Sequence, residues 1–293
     1  MTTRSETLRA FFARYVAARG GASDPRIEHA FAAVPREPFA GPAPWYIPAV
    51  GPWSDGSNGP TYLETPGDDP AFLYQDTLIA LDPARGINIG EPSLHAHCLD
   101  ALAVQAGETV LQVGTGSGYY TAILAHLTGP RGRVHGYEID PALAARAERN
   151  LADLPWVTVH PRSGIAEDLP KVHAIYVNAG ITQPSWTWLD ALRPGGRLLF
   201  PLQNVGSFGG MLLVQRPRGG STAWPARFVA RAGFIACQGL QDAETGRGLT
   251  AAFAGGDWQT VQSLRLDDVP NTTCWFRGEG WWLSTASSEE EEA

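Results

Sequence analysis

The chain has 293 residues, with 22 Lys and Arg against 30 Asp and Glu and a formal net charge of −8. Hydrophobic residues make up 44% and charged residues 18%, enough apolar matter for a packed core, which excludes a mainly disordered chain. The acidic balance, with no Lys/Arg run, argues against a nucleic-acid partner held through phosphates, and no apolar stretch reaches the roughly 18–20 residues of a membrane helix.

Residues 1–85 read as N-terminal helices followed by a cover. Leu8, Phe11, Phe12, Tyr15 and Val16 recur at helical spacing within Glu6–Arg19, and Gly20-Gly21 stops the run. A second helix is expected after Ser23-Asp24-Pro25, through Ile27, Ala30, Phe31 and Val34, ending near Pro35. Residues 41–85 are crowded with Pro, Gly and aromatic residues, and Trp45, Tyr46, Trp53, Tyr62, Phe72 and Tyr74 favour an ordered cover over a linker. Charges at Arg4, Glu6, Arg9 and Arg14 break the apolar run a secretory signal needs. Cys98, Cys237 and Cys274 are too widely spaced for a disulfide framework or a metal clip, so the expectation is a cytoplasmic protein without a metal.

Residues 86–215 alternate helical and strand-like runs. Helix Ser93–Val104, strand Thr109–Val113, helix Tyr119–Leu127, strand Val134–Tyr137, helix Pro141–Leu151 and strand Val157–His160 come first. Strand Ala174–Val177, helix Ser185–Leu192 and strand Arg197–Pro201 continue the pattern. This alternation predicts an α/β fold with a doubly wound, Rossmann-like sheet, mostly parallel, that binds ligands beyond the carboxyl ends of its strands. Over 216–283 the texture shifts to strands that complete the sheet as an antiparallel edge, with Met211–Gln215, Phe228–Cys237 and Gln262–Leu266 expected as strands and a helix near Thr250. The Trp281-Trp282 pair is expected to dock on the body, and the acidic tail 284–293 to be disordered.

The chemistry-bearing signal is Val110-Leu-Gln-Val-Gly-Thr-Gly-Ser-Gly118, an apolar strand running into Gly114, Gly116 and Gly118 and then a helix. Glycines there permit positive φ and let a ligand lie on bare backbone. Glu138 stands 20 residues beyond Gly118, at the end of the next strand, where a carboxylate can accept both hydroxyls of a ribose. A dinucleotide fingerprint would place its third glycine where this chain has Tyr119. The GxGxG spacing therefore favours a nucleoside cofactor without a pyrophosphate, such as S-adenosylmethionine, over a nicotinamide dinucleotide.

Several motifs in fixed order now resemble the protein-L-isoaspartate O-methyltransferase family of class I S-adenosylmethionine-dependent methyltransferases. They are Ala33-Val-Pro-Arg-Glu-Pro-Phe39, Gly86-Ile-Asn-Ile-Gly-Glu-Pro-Ser-Leu-His-Ala96, Thr109–Gly118, Gly136–Asp140 and Leu192-Arg-Pro-Gly-Gly-Arg-Leu-Leu-Phe-Pro201. The resemblance spans about residues 25 to 240. It implies a cofactor shell in which Pro92, Ser93 and His95 lie beside the methionine end. Gly114, Thr115, Gly116 and Gly118 would pass under the cofactor, with Glu138 on the ribose and Ile139 against the adenine. Ser163 and Gly164 stand where the family carries Asp-Gly, and Asn178 ends a core strand facing the crevice.

The resemblance also implies an acceptor site at Asn88, Gly90 and His95. The family places a serine at the position of Gly90, so this chain offers only backbone there, and an acceptor other than isoaspartate is expected. His95 and His97 cannot share a helix face, and a histidine at 95 reads as packing or cofactor contact more readily than as a general base. The expected function is methyl-ester formation on a carboxylate of a peptide or protein. The alternatives are a small-molecule methyltransferase on the same scaffold or a non-catalytic S-adenosylmethionine-binding module.

Overall fold

A computed structural model describes residues 2–49 and 61–289. The chain divides into two compact units, Met1–Ser163 and Gly164–Ala293, a division that falls inside the 86–215 stretch expected as one core.

The first unit opens with α1 (Arg4–Arg19), started by a capping box: Glu6 N donates to Thr3 Oγ1 at 3.2 Å and Thr3 N to the Glu6 carboxylate at 2.6 Å. That box sets the start two residues ahead of the expected Glu6. Next come α2 (Pro25–Ala33), capped by Asp24 with proline at its first position, and α3 (Glu37–Ala40). Two short antiparallel pairs form the cover, β1 (Tyr46–Pro48) with β2 (Tyr62–Glu64), and β3 (Ile79–Asp82) with β4 (Ile87–Ile89). Trp45, Leu73 and Tyr74 are buried, while Tyr46, Tyr62 and Phe72 are partly buried; Trp53 lies outside the described residues. Arg36 is fully buried and ties this cover to the helices: its Nη1 donates to Leu73 O (2.7 Å) and Gln75 O (3.0 Å), and its guanidinium stands over Phe12 and Tyr119.

Then follow α4 (Pro92–Leu102), β5 (Thr109–Val113), α5 (Tyr119–Thr128), β6 (Arg133–Tyr137), α6 (Pro141–Asn150) and β7 (Val157–His160). Strands β5, β6 and β7 are adjacent and parallel, and Val113, Tyr137 and His160 stand in one row across them. Their carboxyl ends thus deliver the glycine loop and Glu138 to the same edge, which is where open α/β sheets bind ligands.

The second unit comprises β8 (Val172–Val177), α7 (Trp186–Ala191), β9 (Leu192–Leu202), β10 (Gly209–Gln215), β11 (Ala223–Ala232), α8 (Ala243–Gly255), β12 (Ser263–Arg265), β13 (Cys274–Arg277) and β14 (Trp282–Ser284). Its strands lie in the order β8, β9, β10, β11, β12, β14, β13, with β8–β9 parallel and every later pairing antiparallel. An α/β fold with a parallel core and an antiparallel C-terminal edge is what the sequence predicts.

Three details differ from the expectation. Strand β11 runs five residues earlier than Phe228–Cys237, because Pro225 lies beyond the last β10 partner, Val214↔Ala226, and removes no bond from that ladder. Strands β13 and β14 were not anticipated, and the second of them buries Trp282 next to buried Trp281. Finally, disorder from residue 284 is not seen over 284–287. Ser284 closes β14, while Ala286 O and Ser287 O accept bonds from Ser263 Oγ (2.8 Å) and Arg265 Nη2 (2.8 Å); residues 290–293 lie outside the described residues. Among the described residues, no helix is long and apolar enough to cross a membrane, and no cluster of three His, Cys, Asp or Glu side chains could hold a metal.

Candidate active site

The glycine loop between β5 and α5 is built by backbone demand. Gly114, Gly116 and Gly118 have φ of 79°, 58° and 98°, a region L-residues avoid. A Cβ on Gly116 would meet only Leu81 Cδ1, at 3.8 Å, so the space above this residue is left for a ligand. At Gly118 the need is also steric, since a Cβ would come within 3.0 Å of Leu151 Cδ1 beside α6. Thr115 turns its buried hydroxyl under the sheet toward Gly136, so its contribution to the loop surface is backbone.

Glu138 closes the cradle. Its Oε2 accepts from Gly116 N at 2.7 Å and its Oε1 from Asp140 N at 3.0 Å, which aims the carboxylate at the loop. A carboxylate has about four acceptor positions, so two remain for a pair of hydroxyls. Ile139, half-exposed next to it, offers an apolar surface for a planar base. Bare glycine, carboxylate and aliphatic side chain together fit an adenosine.

The loop from β4 into α4 is held from several sides. Asn88 Nδ2 donates to Tyr62 Oη (3.1 Å) and Gly86 O (3.0 Å), binding the loop to the cover. Pro92 opens α4. Ser93 N donates to Asp76 Oδ1 at 2.7 Å, and Asp76 Oδ2 pairs with Arg19 Nε at 2.7 Å. Ser93 Oγ donates to Glu91 Oε1 at 3.4 Å. Partial burial, with the Asp76 charge nearby, raises the Glu91 pKa above the usual carboxylate range.

Gly90 sits in this loop without a positive φ, so no conformational rule requires glycine there. The neighbour does. A Cβ on Gly90 would overlap His95 Nε2 and lie 2.9 Å from its Cδ2. His95 is 1% exposed and stacks on Tyr120 with ring centroids 3.5 Å apart and planes 12° from parallel. Tyr120 in turn donates its hydroxyl to Gly90 O at 2.9 Å. Burial, reinforced by the Arg36 charge, pushes the His95 pKa down to about 3. At neutral pH the ring is uncharged and too weakly basic to serve as a general base. His97 faces away, its Nδ1 within 2.8 Å of Gly20 O, and ties α4 to the end of α1.

Of the remaining expected site residues, Ser163 closes the first unit. Gly164 opens the second, where its carbonyl accepts from Trp188 Nε1 at 2.8 Å, and Asn178 follows the end of β8. Sequence reasoning missed Tyr120, Asp76 and Arg36. Tyr120 directly follows Tyr119, the residue that breaks the dinucleotide pattern, and Arg36 lies inside a family motif, but neither position announces its partners.

Comparison with known proteins identifies the family. Residues 68–228 match the family model described as Protein-L-isoaspartate(D-aspartate) O-methyltransferase (PCMT). The chain belongs to this family. It is 34% identical over 223 residues to Protein-L-isoaspartate O-methyltransferase 2 of Anaeromyxobacter sp. (strain Fw109-5), covering 73% of this chain and 78% of that one. It is 35% identical over 168 residues to Protein-L-isoaspartate O-methyltransferase 1 of Arabidopsis thaliana, 53% of this chain and 71% of the relative. A Plasmodium falciparum putative protein-L-isoaspartate O-methyltransferase, solved with S-adenosyl-L-homocysteine, superposes with a TM-score of 0.58 at 18% identity, over 78% of this chain and 98% of that one, and shares the fold. As a member of the isoaspartate methyltransferase family, the chain is an S-adenosylmethionine-dependent methyltransferase of Rossmann-like fold.

Proposed function

We propose that this enzyme forms a methyl ester on a carboxylate of a peptide or protein, and that its acceptor differs from the isoaspartyl group the family is named for. The observation that carries the reading is Gly90. It stands where the family resemblance places an acceptor-binding serine, and His95 fills the space a side chain would take.

When bound, S-adenosylmethionine supplies an electrophilic methyl group on a positive sulfonium. Gly114, Gly116 and Gly118 provide close backbone approach, Glu138 holds the ribose and Ile139 covers the adenine. Pro92 and Ser93 stand at the methionine end, and Ser163 belongs to the same shell. The loop Asn88–Pro92 receives the acceptor. A carboxylate, with a reference pKa of about 4, is already an anion at neutral pH and needs no base. That suits a site whose one buried histidine is too weakly basic to take a proton. Positioning and exclusion of water then carry the rate, because opposite charges neutralise each other as the methyl moves. Buried thiols at Cys98 and Cys237 suit a reducing cytoplasm, in which we place the enzyme.

The test is to incubate the protein with labelled S-adenosylmethionine and, separately, an isoaspartyl peptide, its aspartyl twin and a cell extract. Label on the extract or the aspartyl peptide, with little on the isoaspartyl peptide, supports the reading. Efficient labelling of the isoaspartyl peptide overturns the altered acceptor and leaves an ordinary family activity.

A further inference from the structure

Residues 90 and 95 share one volume, and the contacts around them show which residue holds it. The imidazole of His95 cannot swing aside cheaply, because Tyr120 stacks on its face at 3.5 Å. Tyr120 is itself backed by Tyr119 (centroids 5.0 Å) and Phe31 (6.4 Å). Its hydroxyl is bonded to Gly90 O, so the loop, the ring and the start of α5 are fastened together at one point. The same α5 begins directly after Gly118, which links this clamp to the cofactor loop.

We propose that His95, clamped by Tyr120, fills the side-chain volume of position 90 and determines which carboxylate the enzyme accepts. The proposal rests on the reading of residues 88–92 as the acceptor side. The group shaping that side then comes from α4 instead of from the loop, and it is a planar ring in place of a short hydroxyl-bearing chain. The ring is uncharged at neutral pH. It can therefore shape the pocket without forming an ion pair with the acceptor anion, a pair that would stabilise the ground state and slow transfer. His95 acts as a specificity determinant, and Tyr120 is the positioning residue that acts through it.

The experiment is a double-mutant cycle. G90S, H95A and G90S/H95A are compared with the starting enzyme on an isoaspartyl peptide and its aspartyl twin, with kcat and KM read separately and S-adenosylmethionine affinity measured for each protein. G90S alone should lose at least tenfold in kcat/KM on whichever peptide the starting enzyme uses, because the hydroxymethyl group meets the clamped ring. The double variant should methylate the isoaspartyl peptide at least tenfold better than the starting enzyme or either single variant, mainly through KM. G90S/Y120L, which releases the clamp while keeping His95, should recover part of that gain and covers the case in which removing His95 prevents folding.

A double variant no better than the single ones on the isoaspartyl peptide overturns the proposal. So does an H95A protein whose loss lies in S-adenosylmethionine affinity instead of acceptor KM, since His95 would then serve the cofactor. If the starting enzyme already methylates the isoaspartyl peptide well, the altered-acceptor reading fails by itself. The coupling between positions 90 and 95 is still read from the cycle of G90S, H95A and G90S/H95A.

Discussion

The glycine loop and the acceptor loop both depend on glycine, for opposite reasons. Gly114, Gly116 and Gly118 are glycine because their backbone takes positive φ, a requirement written into the chain itself. Gly90 adopts a backbone that any residue could take, and it is glycine because a ring five positions along occupies the Cβ space. The first kind of glycine belongs to a motif. The second is a record of a neighbour, visible only once the fold brings His95 and Tyr120 against it. A glycine in a site is thus explained by its φ or by what its missing side chain would strike, and the two explanations predict different mutants.

The sharpest division between the loops is in ligand binding. Glu138→Ala should weaken S-adenosylmethionine binding about 100-fold, since hydrogen bonds to a charged group contribute about 1.5–3 kcal/mol. Changes confined to the acceptor loop, such as Asn88→Ala, should leave that affinity within about threefold. Isothermal titration reads both, and a similar loss from each would merge the two loops into one function.

Stability separates the two kinds of glycine next. Gly118→Ala should cost about 2 kcal/mol from its positive φ and the contact with Leu151, whatever stands at position 95. Gly90→Ala should cost a similar ~1–3 kcal/mol by overpacking, and most of that should vanish in an H95A background. Urea unfolding of the single and double variants checks this; a Gly90→Ala cost untouched by H95A would break the comparison.

The pH dependence of folding should come in part from His95. Its folded pKa, about 3, lies below the unfolded value of about 6.5, so the unfolded chain binds one more proton between them. Its contribution is fully present above about pH 6.5 and is lost as pH falls toward 3, at about 1.4 kcal/mol per unit. Replacing His95 with Gln should flatten the stability profile over that window by about one proton. The smallest effect expected is for Tyr120→Phe, which keeps the stack and loses the bond to Gly90 O, costing about 1 kcal/mol with the acceptor preference retained.

Much of the frame was legible in the sequence. Helical periodicity located α1 and α2, and strand–helix alternation located β5 through β9 in order, because those elements bury one face or a full apolar run. The glycine loop and the acid after β6 were legible for the same reason they work: each is a local backbone requirement. What escaped were features that depend on distant residues. Strand β13 pairs with β14 over a few residues, carrying too little pattern to stand out. The 17-residue separation of Asp76 and Ser93 gives no hint that Asp76 holds the first turn of α4 through Ser93 N. The site's second half, Gly90 with His95 and Tyr120, needed three segments in space. The sequence pointed to position 90 through family resemblance, and the packing supplied the cause.

The most direct test of the whole account is the chemical nature of the bond the enzyme makes. After transfer from methyl-labelled S-adenosylmethionine to peptide or protein, the labelled product is treated with mild base and volatile methanol is collected. The account predicts that the label is released as methanol, as a methyl ester on a carboxylate must be. Label that survives base, on nitrogen or as an ether, would contradict it.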